Sequence, residues 1–209
     1  METTSLAILL GLGVFHGLNP GMGWLFAVAL GLQERNRRAV LRALPPLAAG
    51  HAAAVIVALV LFEAVRAVTS PRLVALAAGG LLIGLGLWHL IRRRHPRWGG
   101  MRLRPYELAV WSFVMATVHG AGLMLFPVVA TGGSDHPVTG LATATLVHAG
   151  SGLALTAAVH SAGMLAAMAG IALLVYDKLG VAILRRTWFN TDLLWWPVLI
   201  IAGILVLFT

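Results

Sequence analysis

The chain has 209 residues, of which 59% are apolar and 11% charged; its net charge is +8 and its mean hydropathy +0.90. Soluble domains carry about a quarter charged residues, so this composition describes an all-α integral membrane protein and argues against a soluble enzyme or a nucleic-acid-binding domain. The chain has no cysteine, which excludes disulfides, thiolate metal sites and thiol redox chemistry.

Six apolar segments follow one another, roughly 5–31, 44–68, 72–92, 106–131, 150–176 and 187–208. Most are near the ~20 residues a spanning helix needs, so six transmembrane helices are expected. The lead-in Met1-Glu2-Thr3-Thr4-Ser5 has no basic region and reads as the start of a retained helix, not a cleaved signal.

The first segment contains the run His16-Gly17-Leu18-Asn19-Pro20-Gly21-Met22-Gly23. At mid-membrane depth every polar group must be satisfied by protein, trapped water or ligand, so a histidine and an asparagine here are expensive. Pro20 removes a backbone donor and frees the carbonyl near His16, which predicts a broken helix. Gly13, Gly17 and Gly21 fall on one helical face and allow another backbone to approach closely. Asn19 is expected either to line a pathway or to cap the half-helix that follows.

Pro45-Pro46 is expected to open the second helix after an arginine-rich entry. Gly80-x3-Gly84 predicts a close-packing face in the third. The fourth segment repeats the break at His119-Gly120, with Pro127 beyond it. Thr131-Gly132-Gly133-Ser134-Asp135-His136-Pro137 reads as an outer loop, followed by a half-helix or an extension of helix five that contains His148.

Basic residues set the orientation. Loops one, three and five hold thirteen: Arg35, Arg37, Arg38 and Arg42; Arg92, Arg93, Arg94, Arg97, Arg102 and Arg104; Lys178, Arg185 and Arg186. The other loops hold only Arg66 and Arg72, so the odd loops are expected in the cytoplasm and both termini outside. Trp88, Trp98, Trp111 and Trp188 flank the same boundary, as interfacial indoles do.

A repeat links the halves. His16-Gly17 matches His119-Gly120 at an offset of 103, and His51 matches His160 at an offset of 109. Three spans per half require the copies to be inverted, with helices 1 and 4 broken. Such repeats place substrate sites near the midplane in secondary transporters. The chain is therefore expected to be a single membrane domain, 1–209. Residues 1–95 form the first half, 96–105 a cytoplasmic connector and 106–209 the second half.

His16, His51, His119 and His160 are the candidate metal ligands, because neutral imidazole suits zinc, nickel, cobalt, iron or copper. Gly17, Asn19, Pro20, Gly120 and His148 are the candidate pathway residues. Met22 and Met124 are soft enough to suit Cu(I), although a methionine on a spanning helix more often simply packs. No acidic residue lies deep in a segment, so hard cations lack their oxygen ligands.

The layout, the size and the Gly/Pro breaks at His16–Met22 and His119-Gly120 resemble small six-helix bacterial transporters of the lysine exporter, nickel–cobalt permease and sulfite exporter types. The nickel–cobalt permeases carry His-x4-Asp on a helix, and neither His16 nor His119 is followed by aspartate at that spacing. The resemblance implies a multi-pass protein of the bacterial inner membrane, a possible homo-oligomer, with the bilayer and a small solute as partners. The expected function is secondary transport of a divalent transition-metal ion through a midplane histidine site. The alternatives are a His-ligated membrane enzyme acting on a lipid or quinone, a small anion or amino-acid exporter, and a haem-binding membrane protein.

Overall fold

A computed structural model describes residues 3–92, 104–126, 142–179 and 192–208. Among the described residues all regular structure is helical. The first segment is α1 (Thr3–Leu18), a 3-10 turn (Pro20–Met22) and α2 (Trp24–Glu34). After α3 (Arg37–Val68), α4 (Pro71–Arg92) and α5 (Pro105–Val118) comes a second 3-10 turn, Leu123–Leu125. α6 (Ala142–Leu174) ends in a π-helical turn, Val175–Leu179, and α7 (Asp192–Leu207) follows. Pro127, the 131–137 loop, Trp98, Trp188 and most of the connector lie outside the described residues, as do the side chains of Arg66, Arg92 and His148.

The breaks have local causes. Pro20 cannot donate to the His16 carbonyl, which instead accepts from the Asn19 N–H at 3.1 Å. Asn19 is extended and its Oδ1 accepts from the Gly21 N–H at 2.8 Å, capping the 3-10 turn. Gly23, at φ 116° in the left-handed region, restarts the chain as α2. The second break turns on Gly120, at φ 66°.

α3 begins earlier than expected. Asn36 caps it by accepting from the Arg38 N–H at 2.9 Å, and the helix runs through Pro45 and Pro46. The cap holds the turns before the prolines, and the helix continues although each proline removes a donor and crowds the carbonyl four residues earlier. The weakly apolar run after residue 141 extends helix five, since α6 starts at Ala142.

Among the described residues, two helices are long and apolar enough to cross a bilayer, Arg37–Val65 and Gly152–Lys178. The first segment is divided into helices of 16 and 11 residues by its break, and α5 stops after 14. Only 33% of the most apolar window of each long helix is buried within the chain. The core helix of a soluble domain is mostly buried, whereas here Val60, Leu61 and Val65 of α3 and Leu155 and Leu174 of α6 face outward.

Helices pack where glycine removes a Cβ. A Cβ on Gly13 would lie 2.1 Å from the His160 carbonyl oxygen, and one on Gly17 2.2 Å from that of Met164. The two contacts advance together, so α1 and α6 run parallel. α3 and α5 are also parallel, with Gly50 on Ala109 and Gly122 on Val55 and Ala58. α4 and α7 are antiparallel: Gly79 meets Gly203, and Gly86 meets Trp196 and Ile200. The expected packing face of Gly80 and Gly84 has nothing within 4 Å; the contact runs through Gly79 and Gly86 instead.

Two buried apolar clusters stack along the bundle. One contains Leu9, Ala54, Val55, Leu82, Ala121 and Ala157, with Leu12 against it; the other contains Met22, Leu47, Leu108, Met115, Met164 and Met168. Each candidate histidine falls in sequence between a residue of one cluster and a residue of the other. The pairs are Leu12 and Met22, Leu47 and Ala54, Met115 and Ala121, and Ala157 and Met164. The histidines thus form a layer between the two clusters.

Candidate functional site

His16 lies in the last turn of α1, His51 in α3 and His160 in α6, and all three are fully buried. Their rings meet. His16 and His160 have centroids 5.0 Å apart, His51 and His160 5.3 Å, and His16 and His51 5.5 Å. His16 stands edge-on to both partners, at 77° to His160 and 68° to His51, while His51 and His160 stack at 20°. The glycines explain the convergence: Gly13, Gly17 and Gly163 bring the backbones of α1 and α6 together at this depth.

His119 caps α5 at the second break and is 1% exposed. Its Cε1 would lie 3.8 Å from a Cβ on Gly21, on a position also flanked by Asn19 Oδ1 and Met115 Cε. It therefore borders the first break. His16 Nδ1 donates to the Leu12 carbonyl at 3.0 Å, and His119 Nδ1 to the Met115 carbonyl at 2.8 Å. A carbonyl only accepts, so both rings carry their proton on Nδ1 and keep Nε2 as the lone-pair nitrogen.

The ring nitrogens of His51 and His160 have no hydrogen-bond partner among the described residues. The Leu9 carbonyl approaches His160 but outside hydrogen-bonding geometry. A buried polar atom left without a partner costs about 1–3 kcal/mol, so these rings are suited to a guest that accepts their lone pairs or supplies a proton. The centroid spacing is close to the roughly 5 Å that imidazoles around one tetrahedral ion adopt with ~2.0 Å metal–nitrogen bonds. As they stand, two rings stack and the third meets them edge-on, and among the described residues no three side chains converge as a ligand set. The buried polar side chains among the described residues are His16, Asn19, His51, Ser112, His119, Thr156 and His160, with no carboxylate.

Two indoles hold the first break: Trp111, read in the sequence as a boundary marker, and Trp24, to which the sequence reading assigns no role. Trp24 Nε1 donates to the Leu18 carbonyl at 3.1 Å, a group the interrupted helix leaves exposed. Trp111 Nε1, from α5, donates to the Gly21 carbonyl at 3.1 Å. The Trp111 bond joins residues 90 positions apart and ties the second half to the break in the first. Only the proximity of Trp24 to Pro20 signalled such a role in the sequence. Gly120, expected in the pathway, serves as the turn beside Leu199 and Leu82.

No protein-family model, curated protein or solved structure matches the chain.

Proposed function

We propose that the chain is a secondary membrane transporter that moves a transition-metal ion through the histidine layer. The observation that carries this reading is the cluster of three fully buried imidazoles on three helices, 5.0–5.5 Å apart, beside a broken helix. Borderline metals favour imidazole over hydrated oxygen ligands, and the hydrogen bond from His16 Nδ1 to Leu12 orients Nε2 as the donor. The loaded state requires the stacked rings to turn so that their nitrogens face one ion.

Six spans in an inverted 3 + 3 arrangement give this site its access from both sides. The helix pairs support it. Exchanging first with fourth, second with fifth and third with sixth spans turns the α1–α6 contact into the α3–α5 contact and leaves α4–α7 unchanged. The parallel and antiparallel directions are those of six alternating spans. Arg37, in the first loop, pairs with Asp177, at the end of α6, at 3.4 Å; loops one and five thus share a face, as the charge rule for a cytoplasmic side requires. In this reading the protein sits in the bacterial inner membrane, and its two halves rock about the histidine layer. The likeness to the lysine exporter and nickel–cobalt permease group is part of the same proposal.

Flux into proteoliposomes tests it. Wild-type protein is expected to carry metal, and His16→Ala, His51→Leu and His160→Leu to abolish transport. Undiminished flux in all three variants would overturn the site. A proton relay is the second reading, favoured because the rings touch one another without converging on a point. Proton flux without metal, lost in the same variants, would select it.

A further inference from the structure

Four methionines occupy the cluster on one side of the histidine layer, and all are buried to 1% exposure or less: Met22, Met115, Met164 and Met168. Met164 and Met168 follow His160 at i+4 and i+8, so one face of α6 carries imidazole, thioether and thioether in succession. Met22 belongs to the 3-10 turn that interrupts the first segment. Met115 accepts the His119 proton at its carbonyl, and its Cε lies 3.3 Å from where a Cβ on Gly21 would stand. Thioethers from three separate elements thus share one buried cluster next to the imidazoles. This cluster also contains Trp24, Val28, Val40 and Val175, toward the end where Arg37 pairs with Asp177.

A core that needed only volume would use leucine. Burying methionine costs more rotamer freedom than burying leucine or isoleucine. What methionine adds is a polarisable sulfur, a soft and uncharged ligand that suits Cu(I) better than the harder nickel or cobalt ions. Among the described residues no carboxylate is buried, and a singly charged ion asks less of anionic ligands than a divalent one.

We propose that the ion carried is Cu(I), received by His16, His51 and His160 and passed toward the cytoplasmic face along Met164 and Met168, with Met22 and Met115 in the same buried cluster. This rests on the transport reading above and replaces the divalent ion expected from the histidines alone.

The test uses full-length protein in proteoliposomes with three probes: Cu(I) kept reduced by ascorbate, redox-inert Ag(I), and Zn(II). Wild-type protein should carry Cu(I) and Ag(I) at least about tenfold faster than Zn(II). Met164→Leu/Met168→Leu, a near-isosteric pair of changes, should lose most of that advantage without loss of thermal stability. X-ray absorption of Cu(I)-loaded wild-type protein checks the same point without a variant. Sulfur should appear beside nitrogen in the copper shell, and in a chain with no cysteine it comes only from methionine. Zn(II) flux equal to or above Cu(I) flux, or a nitrogen-only copper shell, would overturn the copper proposal and leave metal transport standing. Absence of flux for all three ions would overturn the transport reading itself.

Discussion

His16 and His119 make the same hydrogen bond in the two halves of the chain. Each donates Nδ1–H to the carbonyl four residues earlier, Leu12 at 3.0 Å and Met115 at 2.8 Å, and each stands where its helix ends. The offset of 103 residues that relates the histidines also relates their acceptors. The two breaks thus share this local bond as well as their His-Gly pair, which is what the proposed repeat requires.

The histidines of the layer should be dispensable for folding and indispensable for function. Replacing His160 by leucine removes two ring nitrogens that have no hydrogen-bond partner among the described residues. Exchanging unpaired buried polar atoms for apolar ones of similar volume is neutral or stabilising, so thermal unfolding in detergent should match or exceed wild type while flux disappears. A drop of several degrees with flux intact would make His160 a packing residue.

The approach of α1 to α6 depends on missing Cβ atoms. Gly17→Ala would place a carbon 2.2 Å from the Met164 carbonyl oxygen and should destabilise by about 1–3 kcal/mol or more, since backbone cannot yield. Gly11→Ala meets nothing within 4 Å and should stabilise slightly, by up to ~1 kcal/mol, through helix propensity. Equal stabilities of the two variants would contradict this packing.

The break is held across the halves by Trp111. Trp111→Phe keeps the ring and removes the donor to the Gly21 carbonyl, so a loss of about 0.5–1.5 kcal/mol is expected together with slower transport. Wild-type rates and stability would show that the bond is incidental.

Reporter fusions check the orientation. A fusion at Arg94 should remain cytoplasmic and one at Gly133 should be exported. The reverse pattern would invert the topology and with it the direction of the methionine path.

Much of this was legible in the sequence because single residues forced it. Pro20 and Gly120 dictate the breaks, and the glycines at 13 and 17 dictate a close helix neighbour whatever its identity. Gly21 belonged to the same predicted face but packs against side chains, because the helix that defined the face has already ended at Leu18. Gly80 and Gly84 lie off the contact that Gly79 and Gly86 make, since spacing alone does not say which side of a helix its partner takes. The start of α3 was hidden by two prolines and revealed by the Asn36 cap. The indole bonds of Trp24 and Trp111, and the pooling of four methionines, depend on tertiary contacts that no local pattern encodes.

The central claim is that the histidine layer holds a metal ion. Elemental analysis of purified wild-type protein beside a His51→Leu/His160→Leu variant tests it most directly. Roughly one equivalent of a transition metal in wild type, absent from a variant that folds equally well, is the predicted result. No metal in either sample after exposure to Cu(I) and Zn(II) would contradict it.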